Sequence, residues 1–234
     1  MKKLLFMFFT LCLATTALLA DGVKDFDAKI SNITISPQEK YDYAMEQVKI
    51  IDPKAKGVFG ENYLHVLGNF SHLFTKEQNI ALFEAYYEAG VDINGMTERK
   101  IRPLHEIASA SKNKDYEKYT ELVNWLAQKG AEMNPKTDAV MEFSGYGISL
   151  KGSVTPLELA IQHSSAYMVK CLVWENNVPI EDRAFALAKS MADGKPENSA
   201  QGIILQFLKD VKEERAKQTA DLRTAAKERT KKVI

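Results

Sequence analysis

Two consecutive stretches of this sequence carry the same residue types at a constant spacing of 40 positions. The two copies align without insertions or deletions, from a Leu-His pair near the start of each copy to an asparagine at its end. They pair Leu64-His65 with Leu104-His105, Glu77 with Glu117, Leu82 with Leu122, Gly90 with Gly130 and Asn94 with Asn134. An internal repeat of this length indicates that each copy is one structural unit, which buries its apolar face only against its neighbours.

Each copy predicts two helices joined by a polar turn. A short helix begins around the Leu-His pair, and a longer apolar helix follows Thr75 in one copy and Asp115 in the other. Both residues are suitable N-caps. The second helix ends at Gly90 or Gly130, because glycine readily adopts the left-handed conformation found at helix C-termini. The sequence therefore predicts an all-α fold of stacked helical hairpins.

Both ends of the second copy match a known repeat motif. The segment Arg102-Pro103-Leu104-His105-Glu106-Ile107-Ala108 is similar to the signature T-P-L-H-x-A-A of ankyrin repeats, and Gly130-Ala131-Glu132-Met133-Asn134 is similar to their G-A-D-x-N end. A third copy begins at Thr155-Pro156-Leu157. The resemblance covers residues 60–210 and implies an ankyrin-like helical-hairpin solenoid with capping helices.

The repeats divide the chain into segments. Ser36, Pro37 and Glu39 predict a capping helix before the array, since they combine an N-cap, a helix-starting proline and a capping box. The polar stretch 21–35 is expected to be irregular, with a short extended piece at 30–35. The segments are a signal peptide (1–20), an N-terminal segment with the capping helix (21–59), repeats (60–97, 100–137, 153–182 and a degenerate copy 183–208) and a charged C-terminal helix or tail (209–234).

The repeats depart from the usual ankyrin motif in two ways. About 18 residues normally separate the signature histidine from the glycine, whereas 25 positions separate them in the first two copies. Residues 135–153 stand between the second and third copies in place of the usual short hairpin. A loop of that length inside a compact array is usually functional or disordered.

The first twenty residues have the pattern of a secretory signal peptide. Lys2 and Lys3 precede an uncharged, mostly apolar stretch, and the small residue Ala20 precedes the charged Asp21. We expect export to the periplasm with cleavage near Ala20. The alternative is an uncleaved anchor in the inner membrane, although the apolar stretch is short for a membrane-spanning helix.

No constellation in the sequence indicates catalysis or metal binding. No two histidines have the spacing of a metal site, and Cys171 is the only cysteine after the signal segment. The resemblance implies that His65 and His105 make structural hydrogen bonds in the turn before their helices. The formal net charge is zero, which does not favour nucleic acid. We predict a non-enzymatic protein without a metal, a cofactor, a small-molecule substrate or a nucleic-acid partner.

The resemblance places the binding surface on hairpin tips and on the inner face of the first helices. The candidate tip residues are Met96, Glu98 and Arg99, together with Met141, Phe143 and Tyr146 of the 135–153 insert. Methionine and aromatic side chains on a loop are good anchors for a partner. The alternative is that the aromatic residues of the insert pack back onto the array and seal it.

The expected function is binding of another protein in the periplasm. The partner is an enzyme or toxic effector, which this chain inhibits as an immunity protein does or assists as an accessory factor. The alternative is a membrane-tethered structural or adaptor protein, in contact with the membrane through an uncleaved N-terminus or the basic tail.

Overall fold

The computed structural model of this chain describes residues 22–111, 116–138, 141–143, 148–150 and 153–231. These residues contain ten α-helices in five consecutive pairs. The first helices of the pairs are α1 (Gly22–Ser31), α3 (Tyr63–Asn69), α5 (Pro103–Ala110), α7 (Pro156–Gln162) and α9 (Asp182–Ala192). The second helices are α2 (Pro37–Gln47), α4 (Lys76–Glu88), α6 (Tyr116–Gln128), α8 (Ala166–Lys170) and α10 (Ala200–Lys231).

The helices pack in two rows. Helices α1, α3, α5, α7 and α9 contact one another in that order and form the first row. Helices α2, α4, α6, α8 and α10 do the same in the second row. Apolar side chains from both rows join one continuous core that extends from Val23 to Val211. The predicted all-α class is therefore confirmed, since strands occupy only a short hairpin of the described chain.

The helix starts expected from the sequence are confirmed where the structure describes them. Ser36 and Glu39 form the capping box at the start of α2. Thr75 caps α4 by accepting a hydrogen bond from the backbone N–H of Gln78. Asp115, the cap expected for α6, lies outside the described residues.

The expectation of an irregular segment at 21–35 is wrong, because residues 22–31 form α1 and residues 32–35 form a turn. Val23, Phe26 and Ile30 are buried along one face of α1. The ring of Phe26 meets that of Tyr63 edge to face, with the centroids 5.3 Å apart. These three residues have the i, i+3, i+7 spacing of a helix face, and the helix is stabilised by its packing on the array.

The unusual spacing of the first two copies comes both from longer second helices and from a longer connection between the two helices of each pair. Helices α4 and α6 each have 13 residues, and a 3₁₀ turn, Ser71–Leu73, precedes α4. In the third copy, five-residue α8 runs directly into a five-residue π-helical turn, Cys171–Glu175. The thiol of Cys171 is buried, which raises its pKa to about 12 and leaves it in the unreactive, protonated form.

The last helix begins inside the array and leaves it. Helix α10 passes the boundary expected at 208 without a break. Val211 is buried, and the guanidinium of Arg215 donates to the backbone carbonyls of Val173 and Val178 at 2.6 and 3.1 Å. Among the residues described, no helix is both long enough and apolar enough to span a bilayer.

Candidate functional site

The loops that connect successive helix pairs contain a repeated tight turn. In residues 57–61, which we call the first tip, the N–H of the first residue donates to the carbonyl of the last at 2.7 Å. Residues 97–101, the second tip, have the same bond at 3.0 Å. The fourth residue of each turn has a positive φ, 85° at Gly60 and 56° at Lys100. The 40-residue repeat therefore extends to the loop backbone.

The third tip, residues 137–154, is an elongated version of the same turn. The N–H of Thr137 donates to the carbonyl of Val154 at 3.0 Å, and Ser153 has the positive φ, 62°, that precedes the closing residue. Between these ends lies a hairpin of two antiparallel strands, β1 (Met141–Phe143) and β2 (Ile148–Leu150). The long insert therefore occupies the same place as the first and second tips and is a longer form of that loop.

Neighbouring tips are hydrogen-bonded to each other by the same pair of backbone groups. The N–H of Glu98 donates to the carbonyl of Phe59, and the N–H of Asp138 donates to the carbonyl of Arg99, both at 2.9 Å. The ammonium group of Lys100 also lies 2.8 Å from the Asp138 carboxylate. The three tips therefore form one continuous edge, which we call the tip edge.

The tip edge contains the residues of the second tip that the sequence predicted, and two that it missed. Glu98 and Arg99 are exposed, and Met96, just before the turn, is 49% exposed. Val58 and Phe59 of the first tip, which are adjacent in the sequence, are each 66% exposed. The 40-residue offset could have located them, since it aligns them with Glu98 and Arg99 of the second tip.

The structure describes two of the three residues that were predicted in the insert. Met141 and Phe143 lie in β1, where the register pairs them with Leu150 and Ile148 of β2. Tyr146 lies outside the described residues. Because the insert is the third tip, β1 and β2 continue from the same edge that presents Met96.

The two signature histidines connect each helix start to the next tip. In both, Nδ1 accepts a hydrogen bond from the backbone N–H three residues earlier. Nε2 of His65 then donates to the carbonyl of Ile101 at 2.9 Å, and Nε2 of His105 donates to that of Val154 at 3.2 Å. Burial lowers the pKa of each imidazole to about 4, so both are neutral at physiological pH.

The other signature residues shape the array. Leu64, Leu104 and Leu157 are buried in the core, and Pro103 and Pro156 occupy the first positions of their helices. Thr155 caps α7 by accepting from the N–H of Glu158. Gly90 and Gly130 have φ values of 95° and 87° just after α4 and α6, as expected for left-handed helix ends.

A groove lies between the first tip and the first-row helices. Its volume is about 260 Å³. The side chains that line it include Lys24 and Asp27 of α1, Val58, Phe59 and Glu61 of the first tip, Val66 of α3 and Glu106 of α5. It thus combines exposed apolar side chains with carboxylates, directly beside the tip edge.

Glu106 stands at a position that is apolar in the neighbouring repeats. It follows the signature residue of its copy, as Val66 and Leu159 follow theirs, and both of those are buried. Glu106 is partly buried between them. Burial, with a further contribution from the negative charge of Glu61, raises the pKa of its carboxyl to about 7. The 40-residue alignment could have singled this residue out.

Close packing of two first-row helices positions Glu106. A Cβ atom on Gly68 of α3 would lie 3.0 Å from the carbonyl oxygen of Pro103 and 3.1 Å from Cβ of Glu106. A methyl group at this position would press against α5, so glycine favours the close approach of α3 and α5. The approach brings Glu106 next to Gly68 of α3, where it lines the groove.

The other two carboxylates are held by the elements on either side. The Glu61 carboxylate accepts a hydrogen bond from the N–H of Phe59 at 2.7 Å, so it stabilises the first tip while facing the groove. Burial, and then the charge of Glu61, raises the pKa of Asp27. The carboxylates therefore repel one another and favour a positive charge between them.

A larger depression, about 780 Å³, lies at the opposite end of the array. It is lined by the turn between α9 and α10 and by the outer side of α10, including Lys195, Ile203 and Phe207. None of its lining residues belongs to a tip. We regard the groove as the better candidate because it adjoins the tip edge.

Within the ranges that the structure describes, no three His, Cys, Asp or Glu side chains are grouped as a metal site would require. No known family model matches the sequence. No curated protein matches it closely enough to count as a relative.

Proposed function

We propose that this chain is an exported, non-catalytic ankyrin-type protein that binds another protein in the periplasm. Its partner is an enzyme or a toxic effector, which it inhibits or assists. The tip edge is the observation that carries this proposal. Three successive loops joined by identical hydrogen bonds make a preorganised surface, and preorganisation lowers the cost of binding.

The ankyrin-type assignment is supported by features that recur with the repeat. The signature histidine bonds to the next tip in two copies, and the tip-to-tip bond recurs at the same spacing of 40 residues. A solenoid of this kind exposes its loops along one edge and the faces of one helix row beside them. Both surfaces meet at the groove.

The chemistry of the tip edge suits a protein partner. Val58 and Phe59 on the first tip and Met96 just before the second are large exposed apolar side chains, and Glu98 and Arg99 supply charge around them. Apolar anchors surrounded by charged residues are typical of protein interfaces. The third tip lengthens this surface by a hairpin that carries Met141 and Phe143.

The third tip can be shortened without disturbing the array. Deletion of residues 140–152 joins Ala139 to Ser153 and leaves a five-residue turn, the length of the second tip. The Thr137–Val154 bond and the positive φ of Ser153 have counterparts in that turn, so we expect the variant to fold. Its thermal unfolding should match that of the full-length chain within a few degrees.

The test is capture of the partner from a periplasmic extract of the source organism. Immobilised full-length protein should retain one dominant protein, identified by mass spectrometry. The 140–152 deletion and a Phe59→Ser/Met96→Ser variant should each retain at least tenfold less. A Trp174→Ser variant is the matched control, because it removes an exposed aromatic side chain from the second row. Failure to retain any protein specifically would overturn the proposal.

Export is tested separately, by sequencing the N-terminus of the protein isolated from its native envelope. A chain that begins at or near Asp21 supports a periplasmic protein. A chain that retains residues 1–20 would instead favour the membrane-tethered adaptor.

A further inference from the structure

We propose that the groove binds a lysine or arginine side chain of the partner protein, while an apolar residue beside that side chain packs on Val58 and Phe59. The inference rests on the proposed function and adds the chemistry of the partner to it. It makes the groove the specificity pocket of the tip edge.

The first argument is the free-energy cost of partly burying the Glu106 carboxylate. Valine and leucine occupy the equivalent positions of the flanking copies, at Val66 and Leu159, so an apolar residue fits this place in the row. In the described part of the chain, no lysine or arginine lies within ion-pair distance of Glu106. Partial burial of an unpaired carboxylate is unfavourable. A cation that enters the groove would relieve that cost.

The second argument is the charge around Glu106. Glu61 and Asp27 line the same groove from the first tip and from α1, and Lys24 of α1 is the cation among the lining residues. The negative charge of Glu61 contributes to the raised pKa of Asp27 and of Glu106, as expected of carboxylates that lie close together. Three carboxylates against one lysine give a negative potential that complements a basic side chain.

The third argument is the shape of the groove. Its volume of about 260 Å³ is below the range of roughly 300–1,000 Å³ that is usual for small-molecule sites. A single long side chain suits this volume better than a cofactor or a drug-sized metabolite. The ring of Phe59 on the rim offers a face for a guanidinium or for a neighbouring apolar residue.

The fourth argument is that the rim is fixed before binding. The carbonyl of Phe59 accepts from Glu98, and its N–H donates to Glu61. Both bonds hold the first tip in place over the groove. A rim ordered in this way needs little rearrangement to accept a side chain.

The experiment uses the mature chain, residues 21–234, labelled with ¹⁵N and observed by NMR. The probe is the peptide acetyl-Gly-Leu-Arg-Leu-Gly-amide, and the neutral probe is the same peptide with citrulline in place of arginine. We expect the arginine peptide to shift amide signals of α1, the first tip and α5 in a saturable manner. The citrulline peptide should bind at least tenfold more weakly.

Two substitutions remove the charge of Glu106, and we expect neither of them to impair folding. Glu106→Gln removes the charge and keeps the shape, and Glu106→Val introduces the residue that the first copy has at Val66. Both should fold as well as the parent chain and should lower the affinity for the arginine peptide about tenfold or more. Glu88→Gln is the matched control, because Glu88 is an exposed acid at the end of α4, in the second row. It should leave the affinity unchanged.

Three results with these probes would overturn the inference: equal affinity for both peptides, unchanged affinity in both Glu106 variants, or tighter binding of spermidine or Mg²⁺ than of the arginine peptide at the same site. The proposed function fails separately, if the full-length protein retains no partner from the extract. If a partner is retained but binds the Glu106 variants as tightly as the parent chain, the proposed function stands and the inference about the groove fails.

Discussion

The Arg183 guanidinium donates to both carboxylate oxygens of Glu158, at 2.5 and 2.6 Å, in the place where the two preceding copies carry a histidine. Glu158 is only 1% exposed. Its Oε2 also accepts from the N–H of Thr155, and Arg183 donates to the carbonyl of Ser153. The third copy therefore replaces one histidine by an ion pair with a residue of the next helix pair.

The first prediction concerns this pair. Arg183→Ala leaves the Glu158 carboxylate buried without a cation, and we expect it to lower the free energy of unfolding by about 3 kcal/mol. Urea denaturation measures the loss. Glu158→Gln in the Arg183→Ala background should recover part of it, because the buried charge is then gone.

An exposed ion pair provides the control for that experiment. Lys49 lies 3.3 Å from Glu46, and both side chains are largely exposed. Lys49→Ala should change the free energy of unfolding by about 1 kcal/mol or less. Equal losses in the two alanine variants would show that burial of Glu158 does not matter.

The second prediction is a loss of stability in mild acid. The pKa values of His65 and His105 are about 4 in the folded chain, below the ordinary value of 6.5, because both rings are buried. The unfolded chain therefore binds more protons between these pH values. Stability is fully present above pH 6.5 and falls as the pH decreases towards 4, by up to about 3 kcal/mol for each histidine.

Urea unfolding between pH 7 and pH 4.5 measures this slope. It should become shallower in a His105→Gln variant that still folds. An unchanged slope in that variant would contradict the assignment of the acid sensitivity to the signature histidines.

The third prediction concerns Glu106 and has the opposite sign. The pKa of its carboxyl rises to about 7 in the folded chain. Its neutral form is therefore favoured by folding, and that contribution is lost as the pH rises from 4.5 through about 7. Glu106→Gln should thus stabilise the protein at pH 8 by about 3 kcal/mol relative to its effect at pH 4.5.

Thermal or urea unfolding at both pH values gives the comparison, with Glu88→Gln as the control. The titratable or charged side chains that line the groove with Glu106 are Lys24, Asp27, Glu61 and His65. If Glu106→Gln changes the free energy of unfolding equally at both pH values, the pKa of this carboxyl is not raised in the folded chain.

The fourth prediction distinguishes two effects of a methyl group at Gly68. Helix propensity alone would make Gly68→Ala stabilising by about 1 kcal/mol. The contacts at 3.0 and 3.1 Å across to α5 make it destabilising, by about 1–3 kcal/mol. The sign of the change in urea midpoint decides between them. A stabilised variant would mean that α3 and α5 can separate without loss.

Much of the architecture follows from local patterns in the sequence. The constant spacing of 40 residues predicts the helix pairs, and Thr75, Ser36 and Glu39 predict where helices start. Helix α1 was missed although Val23, Phe26 and Ile30 have the i, i+3, i+7 spacing of a helix face. What the sequence does not show is that these side chains pack on distant partners such as Tyr63.

The residues of the candidate site were likewise predictable only in part. Met96, Glu98 and Arg99 were predicted from their place in the repeat, and the third tip from its unusual length. The 40-residue alignment marks Glu106 as a polar residue at an apolar position, but its partial burial beside Glu61 appears only when the helix rows are assembled. The same holds for the Arg183–Glu158 pair, which joins residues 25 positions apart.

The hydrogen bond between Thr137 and Val154 has a consequence for how this surface can change. It closes the third tip at its base, so the array beneath does not depend on what lies between residues 138 and 153. Lengthening a loop that is already closed costs little, since the entropy of closure grows only with the logarithm of loop length. The third tip is therefore an interchangeable position, where segments of different length and sequence can be grafted to alter the choice of partner.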